Sequence, residues 1–384
     1  MSIVELSTPV KAPGVTIDDL TVSYGGLAAV SGVSFRLEPG TITGLVGESG
    51  SGKSTLALSL LGAVQKPGQV TGGAVVIDGI GDMTKLDKEA LRRVRGVRIG
   101  YVFQAAQNSL NPLKTVGKQL LDLAKSHHVK DVREAKPLLE RMGLNADRVL
   151  NSYQHELSGG MRQRVGIMFA LVLNAHVLVL DEPTTALDMI TQANILQIVR
   201  EMHADRGLTT LVVTHDVGVV AEVTQRIAVM YGGRIVEHGA TMKVLAEPRH
   251  PYTRGLINAI PRLTGNVDEA QPLPGTPPTL GTIARTGCVF RQRCPLRMDI
   301  CDTAHPETID GVACHAVNPP AGHATPTGQG RPTGQSELPG DSRSPGVSEP
   351  RSQSEPAGDS RSPGQSEPRR QSEPLGHGEK GGAA

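Results

Sequence analysis

The sequence has no tryptophan and few other rings, so aromatics make up only 2% of its 384 residues. That scarcity argues against a protein that holds single-stranded nucleic acid by stacking bases on side chains. A surplus of one charge is also missing, since 39 Lys and Arg stand against 38 Asp and Glu. Phosphate-backbone binding needs a basic excess or stripe, so nucleic acid is not expected as the main partner. Long hydrophobic runs are absent too. The most apolar stretch, Val165 to Leu180, is shorter than the ~18 residues that span a bilayer and carries Asn174 and His176. The opening residues contain neither a basic n-region nor an apolar segment, so no secretory signal is expected and the chain reads as soluble and intracellular. Cysteine is sparse, with four residues confined between Cys288 and Cys314. In such a chain that clustering suggests a metal site more than a disulfide framework.

Glycine (45) and proline (27) are plentiful, and the hydrophobic share of 38% is low. Part of this comes from residues 318–384, which consist mostly of Pro, Gly, Ser, Glu, Gln and Arg. GDSRSPGVSEPRSQSEP from Gly340 recurs as GDSRSPGQSEPRRQSEP from Gly358, a near-duplicate with almost nothing apolar. Stacked copies would bury no core, so a disordered low-complexity tail is expected there. Residues 1–14 are expected to be a flexible N-terminus.

Between these ends, strand and helix signals alternate, which is the pattern of an α/β fold. Thr41 to Val46, Val177 to Leu180 and Thr209 to Thr214 are continuous apolar runs, as parallel strands covered on both faces require. Lys53 to Val64 reads as a helix stopped by Pro67-Gly68. Ile227 to Val236, with Gly232-Gly233 in the middle, reads as a hairpin. Gln119 to Arg148 is helical and charge-rich. From Gly239 to about Ala316 apolar periodicity weakens, so that part reads as a small appendage held by something other than a large core.

The string Gly47-Glu48-Ser49-Gly50-Ser51-Gly52-Lys53-Ser54 matches the phosphate-loop pattern at every defined position. Its glycines let the backbone wrap a phosphate chain with N–H groups turned inward, and the following helix adds its positive N-terminal dipole. Lys53 is placed to reach the β- and γ-phosphates, and Ser54 offers a hydroxyl to Mg²⁺. Asp181 and Glu182 follow the apolar strand directly, where parallel sheets bind ligands. One acid can hold Mg²⁺ and the next can polarise a water for attack on the γ-phosphate.

Leu157-Ser158-Gly159-Gly160-Met161-Arg162-Gln163-Arg164 resembles the LSGGQ-type signature of ABC-transporter ATPases. Other markers of that family occur in the expected order from Val15 to Gly239. Tyr24 matches the aromatic that stacks on adenine, Gln104 the Q-loop glutamine, Asp188 the D-loop aspartate and His215 the switch histidine. The resemblance implies an ATPase core over residues 15–239, with an antiparallel β-subdomain and a helical signature subdomain at about 105–165. It implies that residues 47–55, ending in Thr55, bind ATP, and that Ser54, Gln104 and Asp181 hold Mg²⁺. Glu182 would polarise water, His215 would contact the γ-phosphate, and Ser158, Gly159, Gly160 and Gln163 would complete the site of an opposite subunit. A non-transport ABC ATPase acting on ribosomes or DNA is the alternative. It is disfavoured by the single cassette, the short insert and the balanced charge.

Asn108-Ser109-Leu110-Asn111-Pro112 and His250-Pro251-Tyr252-Thr253-Arg254 resemble motifs of the oligopeptide/dipeptide/nickel importers, although Ala105-Ala106-Gln107 replaces the usual Asp-Pro-Met. That resemblance implies a second ATPase subunit, identical or homologous, two membrane permeases and an extracytoplasmic solute-binding protein. The chain would then be held at the cytoplasmic face of the membrane through the permeases. The cysteines of the appendage (residues 240–317) are spaced C-x5-C-x6-C-x12-C, without the short knuckle of structural zinc sites. Their surroundings resemble the family's cluster motif, which implies a [4Fe–4S] cluster on Cys288, Cys294, Cys301 and Cys314. Zinc, with His315 as an extra ligand, and four unligated thiols stay open as alternatives.

Overall fold

A computed structural model of the chain describes residues 12–104, 109–259 and 273–320. Of the segments expected to be flexible or disordered, residues 1–11 and 321–384 lie outside the described residues, as does the Ala105-Ala106-Gln107 departure; Ala12 is buried, Gly14 N–H donates to Asp78 Oδ2 (3.0 Å), and Asn318 Nδ2 donates to the Ile309 and Val312 carbonyls. The chain divides into a unit over Met1–Gly328 and a second over Gln329–Ala384; only the first holds described residues.

The three apolar runs form the middle of one sheet. β3 (Ile42–Val46), β7 (Val177–Asp181) and β8 (Thr209–Thr214) are buried at every residue and pair in parallel, with β8 between the other two. β6 (Ile99–Val102) extends the sheet beside β7. On the far side β9 (Arg226–Tyr231) runs parallel to β3, and β10 (Arg234–Ala240) returns antiparallel to β9. Successive side chains of a strand point to opposite faces. Leu178, Leu180 and Val212 therefore join one core, while Val177, Val179, Leu211 and Val213 join another.

The second core is closed by an antiparallel sheet in the order β2-β1-β4-β5: β1 (Val15–Tyr24), β2 (Leu27–Leu37), β4 (Gly68–Ile77) and the short β5 (Gly81–Asp82). Its apolar face includes Val15, Ile17, Leu20, Val22, Val30, Val33 and Val75. The spacing along β1 jumps from Ile17 to Leu20 because a bulge lies between them, with Asp19 at φ 45°. α1 (Lys53–Leu60) packs between the sheets through Leu56, Ala57 and Leu60, and α2 (Lys88–Val94) adds Leu91 and Val94 to that core.

The helix expected over Lys53 to Val64 is shorter than its pattern suggested. Gly62 takes φ 59° and its N–H bonds to the Ser59 carbonyl (2.9 Å), so the chain leaves the helix there rather than at Pro67-Gly68.

The first core is covered by helices: α3 (Val116–Ser126), α4 (Ala135–Arg141), α5 (Ala146–Asn151), α6 (Gly159–Leu171), the long α7 (Met189–Arg206) and α8 (Val217–Val223). α9 (Thr241–Ala246), α10 (Pro251–Asn258) and the single turn α11 (Ile300–Thr303) follow. These last elements do have a core. Tyr252 and Phe290 are fully buried and pack with Val229, Tyr231, Val236, Cys288 and Cys301, so the appendage shares an apolar cluster with the last hairpin. Ring centroids of Tyr231 lie 4.6 Å from Tyr252 and 5.1 Å from Phe290. Two aromatic residues supplied the apolar area that weak periodicity had hidden. No helix among the described residues is long and apolar enough to cross a membrane.

Candidate functional site

The five parallel strands of the six-stranded sheet point their C-terminal ends the same way, and several of the residues singled out in the sequence follow those ends. The phosphate loop follows β3, Asp181 ends β7, Gln104 lies just past β6, and His215 follows β8. An open pocket of about 430 Å³ forms there, lined by Tyr24, Ala29, Ser49, Gly50, Gly52, Lys53, Ser54, Thr55, Gln104, Glu182 and Leu280.

Local sequence explains the loop's shape. Gly50 and Gly52 take φ 77° and 103°, and a Cβ at Gly52 would run into the Ala29 carbonyl. Gly52 is also the N-cap of α1, and no side chain caps that helix. By contrast, Ser158 caps α6, Asp188 caps α7 and Asp216 caps α8. The first-turn amides of Lys53, Ser54 and Thr55 thus have neither an intrahelical nor a capping partner, which suits an anion.

The Lys53 ammonium donates to the carbonyls of Gly47 (2.8 Å) and Glu48 (2.9 Å). Burial lowers its pKa, against the opposing pull of Glu182, Asp181 and Glu48. Ser54 Oγ donates to Asp181 Oδ1 (3.1 Å) and the Tyr101 hydroxyl to Asp181 Oδ2 (2.9 Å). Burial raises the Asp181 pKa, with these two hydrogen bonds acting the other way. Oxygen donors on Ser54, Asp181 and Gln104 are the kind of set that Mg²⁺ takes, so the residues present fit the ion.

Glu182 accepts from Gln104 Nε2 (3.1 Å) and Thr185 Oγ1 (2.9 Å), and His215 Nδ1 lies 3.3 Å from its other oxygen. Burial would raise its pKa, but the bonds from Thr185 and His215 together hold it below the usual carboxylate value. At neutral pH it is therefore ionised, as a group that accepts from water must be.

Ser158 is exposed at the head of α6, and its Oγ accepts from Met161 N (3.3 Å), with Gly159 and Gly160 in the first turn. Gln163, named with them in the sequence, is only 4% exposed on α6 in this single chain. Asp188 accepts from Thr191 N (2.9 Å) and Thr191 Oγ1 (2.7 Å) on an exposed edge.

Sequence reasoning missed several groups. Tyr101 and Thr185 orient the two carboxylates, and Leu280 comes from the appendage to line the pocket. Tyr101 precedes the Val102-Phe103-Gln104 string and could have been read as its neighbour on β6. Leu280 had no signal, because only the folding of the appendage brings it there.

The cysteines lie in the appendage as free thiols. Burial pushes the Cys288 thiol up to about 11 and the Cys294 thiol up to about 12, and the neighbouring thiols add to both effects. Cys288 N–H donates to the Cys301 carbonyl (2.7 Å). Yet among the described residues no three or more His, Cys, Asp or Glu side chains gather as a metal-ion site. The arrangement does not fit the expected [4Fe–4S] cluster, or zinc, and His315 Nε2 lies against the Ala304 carbonyl (3.0 Å).

With this geometry in view, the comparisons agree. The profile of the ABC transporter family matches residues 30–185, and that of the oligopeptide/dipeptide transporter C-terminal region matches residues 236–301. A dipeptide transport ATP-binding protein of Caldanaerobacter subterraneus subsp. tengcongensis is 40% identical over 315 residues, covering 78% of this chain and 96% of that one. This chain belongs to the ABC-transporter ATP-binding subunits. The dipeptide transport ATP-binding protein of Bacillus subtilis is 39% identical over 313 residues, covering 79% and 93% of the two chains. Among solved structures, the cbiO1 protein of Clostridium perfringens, part of an ABC transporter complex, superposes with a TM-score of 0.52 at 27% identity. That match covers 61% of this chain and 90% of the other. The chain is thus an ABC ATPase with the α/β cassette fold.

Proposed function

We propose that this ATPase drives import of peptides, as one of two nucleotide-binding subunits beneath a pair of membrane permeases served by an extracytoplasmic binding protein. The observation that carries the reading is the presence of both halves of the family's sequence in one chain: a cassette at residues 30–185 and the peptide-transporter C-terminal region at 236–301.

The roles follow from the site. The loop amides and Lys53 bind the β- and γ-phosphates, with Tyr24 against the base. Ser54, Asp181 and Gln104 hold Mg²⁺, which when bound neutralises phosphate charge and polarises the γ-phosphoryl group. Glu182, ionised and oriented by Thr185 and Gln104, takes the proton-bearing side of the attacking water. His215, on the other side of Glu182, contacts the γ-phosphate. Ser158, Gly159 and Gly160 bring the N-terminus of α6 to the nucleotide of a facing copy or homologue, where the helix dipole meets the γ-phosphate. Binding then closes the pair and hydrolysis reopens it, a population shift driven by ligand.

Exposed apolar side chains support both contacts. Phe103 (48%), just before Gln104, and Leu113 (84%) and Leu121 (55%), further along the chain, suit a permease face, while Met189 and Ile190 follow Asp188. Through the permeases the subunit is held at the cytoplasmic side of the membrane. The test is uptake: vesicles with the permeases and this chain should accumulate a labelled di- or oligopeptide only when ATP is inside with the ATPase. ATP turnover that no peptide and no permease alters would argue for a non-transport role.

The [4Fe–4S] expectation is not carried into this reading, because among the described residues the four free thiols do not gather as a metal site. Iron and sulfide analysis of anaerobically purified protein should accordingly find neither, with the ATPase intact.

A further inference from the structure

Glu48 is the one carboxylate in the phosphate loop, and three separate groups hold it. Its backbone N–H donates to the Tyr252 hydroxyl (3.0 Å), and its carbonyl accepts from Lys53 Nζ (2.9 Å). Its two carboxylate oxygens receive Arg293 Nη1 (2.7 Å) and Nη2 (3.0 Å) in a two-pronged pair. Tyr252 and Arg293 both belong to the appendage, 204 and 245 residues along the chain from Glu48.

Both are firmly anchored. The Arg293 side chain is only 6% exposed, and its Nε donates to the Pro274 carbonyl (2.7 Å). Burial pulls the guanidinium's pKa down, but its bonds to Glu48 and to the Tyr231 hydroxyl (3.3 Å) together raise it. Tyr252 is fully buried against Tyr231 and Phe290. Its N–H donates to His250 Nδ1 (3.0 Å), and His250 N–H in turn donates to the buried Glu237 carboxylate (2.9 Å). The appendage also places Leu280 in the nucleotide pocket beside Tyr24.

A carboxylate in a loop that binds a polyanion opposes that binding unless its charge is cancelled. A loop with Gly47, Gly50 and Gly52 also loses conformational freedom when it closes on phosphate. Resting on the ATPase reading, we infer that Arg293 and Tyr252 are positioning residues for the phosphate loop. They act through Glu48, fixing its backbone and neutralising its charge, so that nucleotide affinity depends on a folded appendage. A bidentate guanidinium–carboxylate pair supplies both direction and charge, and a pre-set loop binds with less ordering cost.

The test uses the full chain and titration with Mg-ATP, followed by calorimetry and by steady-state turnover. Arg293→Met should weaken binding by at least about tenfold, the scale of a broken buried ion pair. KM should rise accordingly while kcat at saturation stays within about twofold, because no transition-state contact is removed. Adding Glu48→Gln should restore affinity to within about threefold of the unaltered chain, since the stranded charge is gone. Should Arg293→Met fail to fold, Tyr252→Phe serves instead. It keeps the ring and removes only the hydroxyl that accepts from Glu48, so binding should weaken about threefold with an unchanged melting temperature. Unaltered affinity in a folded Arg293→Met or Tyr252→Phe chain, or no rescue by Glu48→Gln, would overturn the inference. Failure of the unaltered chain to bind Mg-ATP at all would instead overturn the ATPase reading.

Discussion

Glu182 adopts the left-handed backbone region, with φ 49°, immediately after a strand buried at every residue. For a residue with a side chain that conformation costs about 1–2 kcal/mol. Its N–H is tied to the Val213 carbonyl of β8 (2.8 Å), and Thr185 bonds its carboxylate, so the turn is held from both sides. Strain kept at a position that also faces the pocket is what a reacting group needs in order to be aimed. His250 shows the opposite use of burial. Burial holds its pKa down at about 3, against 6.5 for an ordinary imidazole. Below about pH 6.5 the unfolded chain takes up a proton that the folded chain refuses, so the neutral ring stabilises the fold fully above that pH. The contribution is lost as pH falls from there towards about 3. Urea midpoints measured at about pH 7.5 and pH 5 should drop on acidification, and His250→Gln should make the drop smaller. An equal drop in both proteins would show that His250 does not drive it.

At the scale of elements, the strands that carry the chemistry were legible because burial on both faces demands unbroken apolar runs. β3, β7 and β8 were placed within a residue or two, and the phosphate loop followed from its own string. The antiparallel sheet was not legible from pattern, since bulges in β1 break its alternation and many β2 residues are half-buried. Nor was the end of α1, which a single glycine sets. The appendage was read as held by something other than a large core because its largest fully buried side chains, Tyr252 and Phe290, lie far apart in sequence and pack on residues of the last hairpin. This makes a sharp expectation. Phe290→Ala should destabilise the protein by about 3–5 kcal/mol, as for a fully buried aromatic. A urea unfolding curve for the metal-free protein measures it. A change under about 0.5 kcal/mol would mean that packing does not hold the appendage.

At the scale of the whole molecule, residues from the ends of β3, β6, β7 and β8 meet in one site, and the appendage adds Leu280 to the pocket there, a convergence that the sequence could only imply. Lys53, Ser54, Gln104, Asp181, Glu182 and His215 were named from motifs, and the fold links five of them by hydrogen bonds (Ser54 to Asp181, Gln104 and His215 to Glu182) with Lys53 beside them. Gln163 was named by its place in a motif, and its burial on α6 was not legible from that motif. Arg293 and Tyr252 were within recognised motifs, yet their reach to Glu48 depends on tertiary packing that no local pattern encodes. In this composite site the proposed ATPase reaction depends on Glu182 polarising the attacking water. The most direct measurement compares ATP turnover and ATP binding of the Glu182→Gln subunit with those of the unaltered one, in the assembled transporter. Gln keeps the size and hydrogen bonds but loses the basic oxygen, so turnover should fall by about 10²-fold or more while ATP affinity is kept. The ATP-bound form should also persist as a closed dimer. Turnover near that of the unaltered protein would contradict the claim.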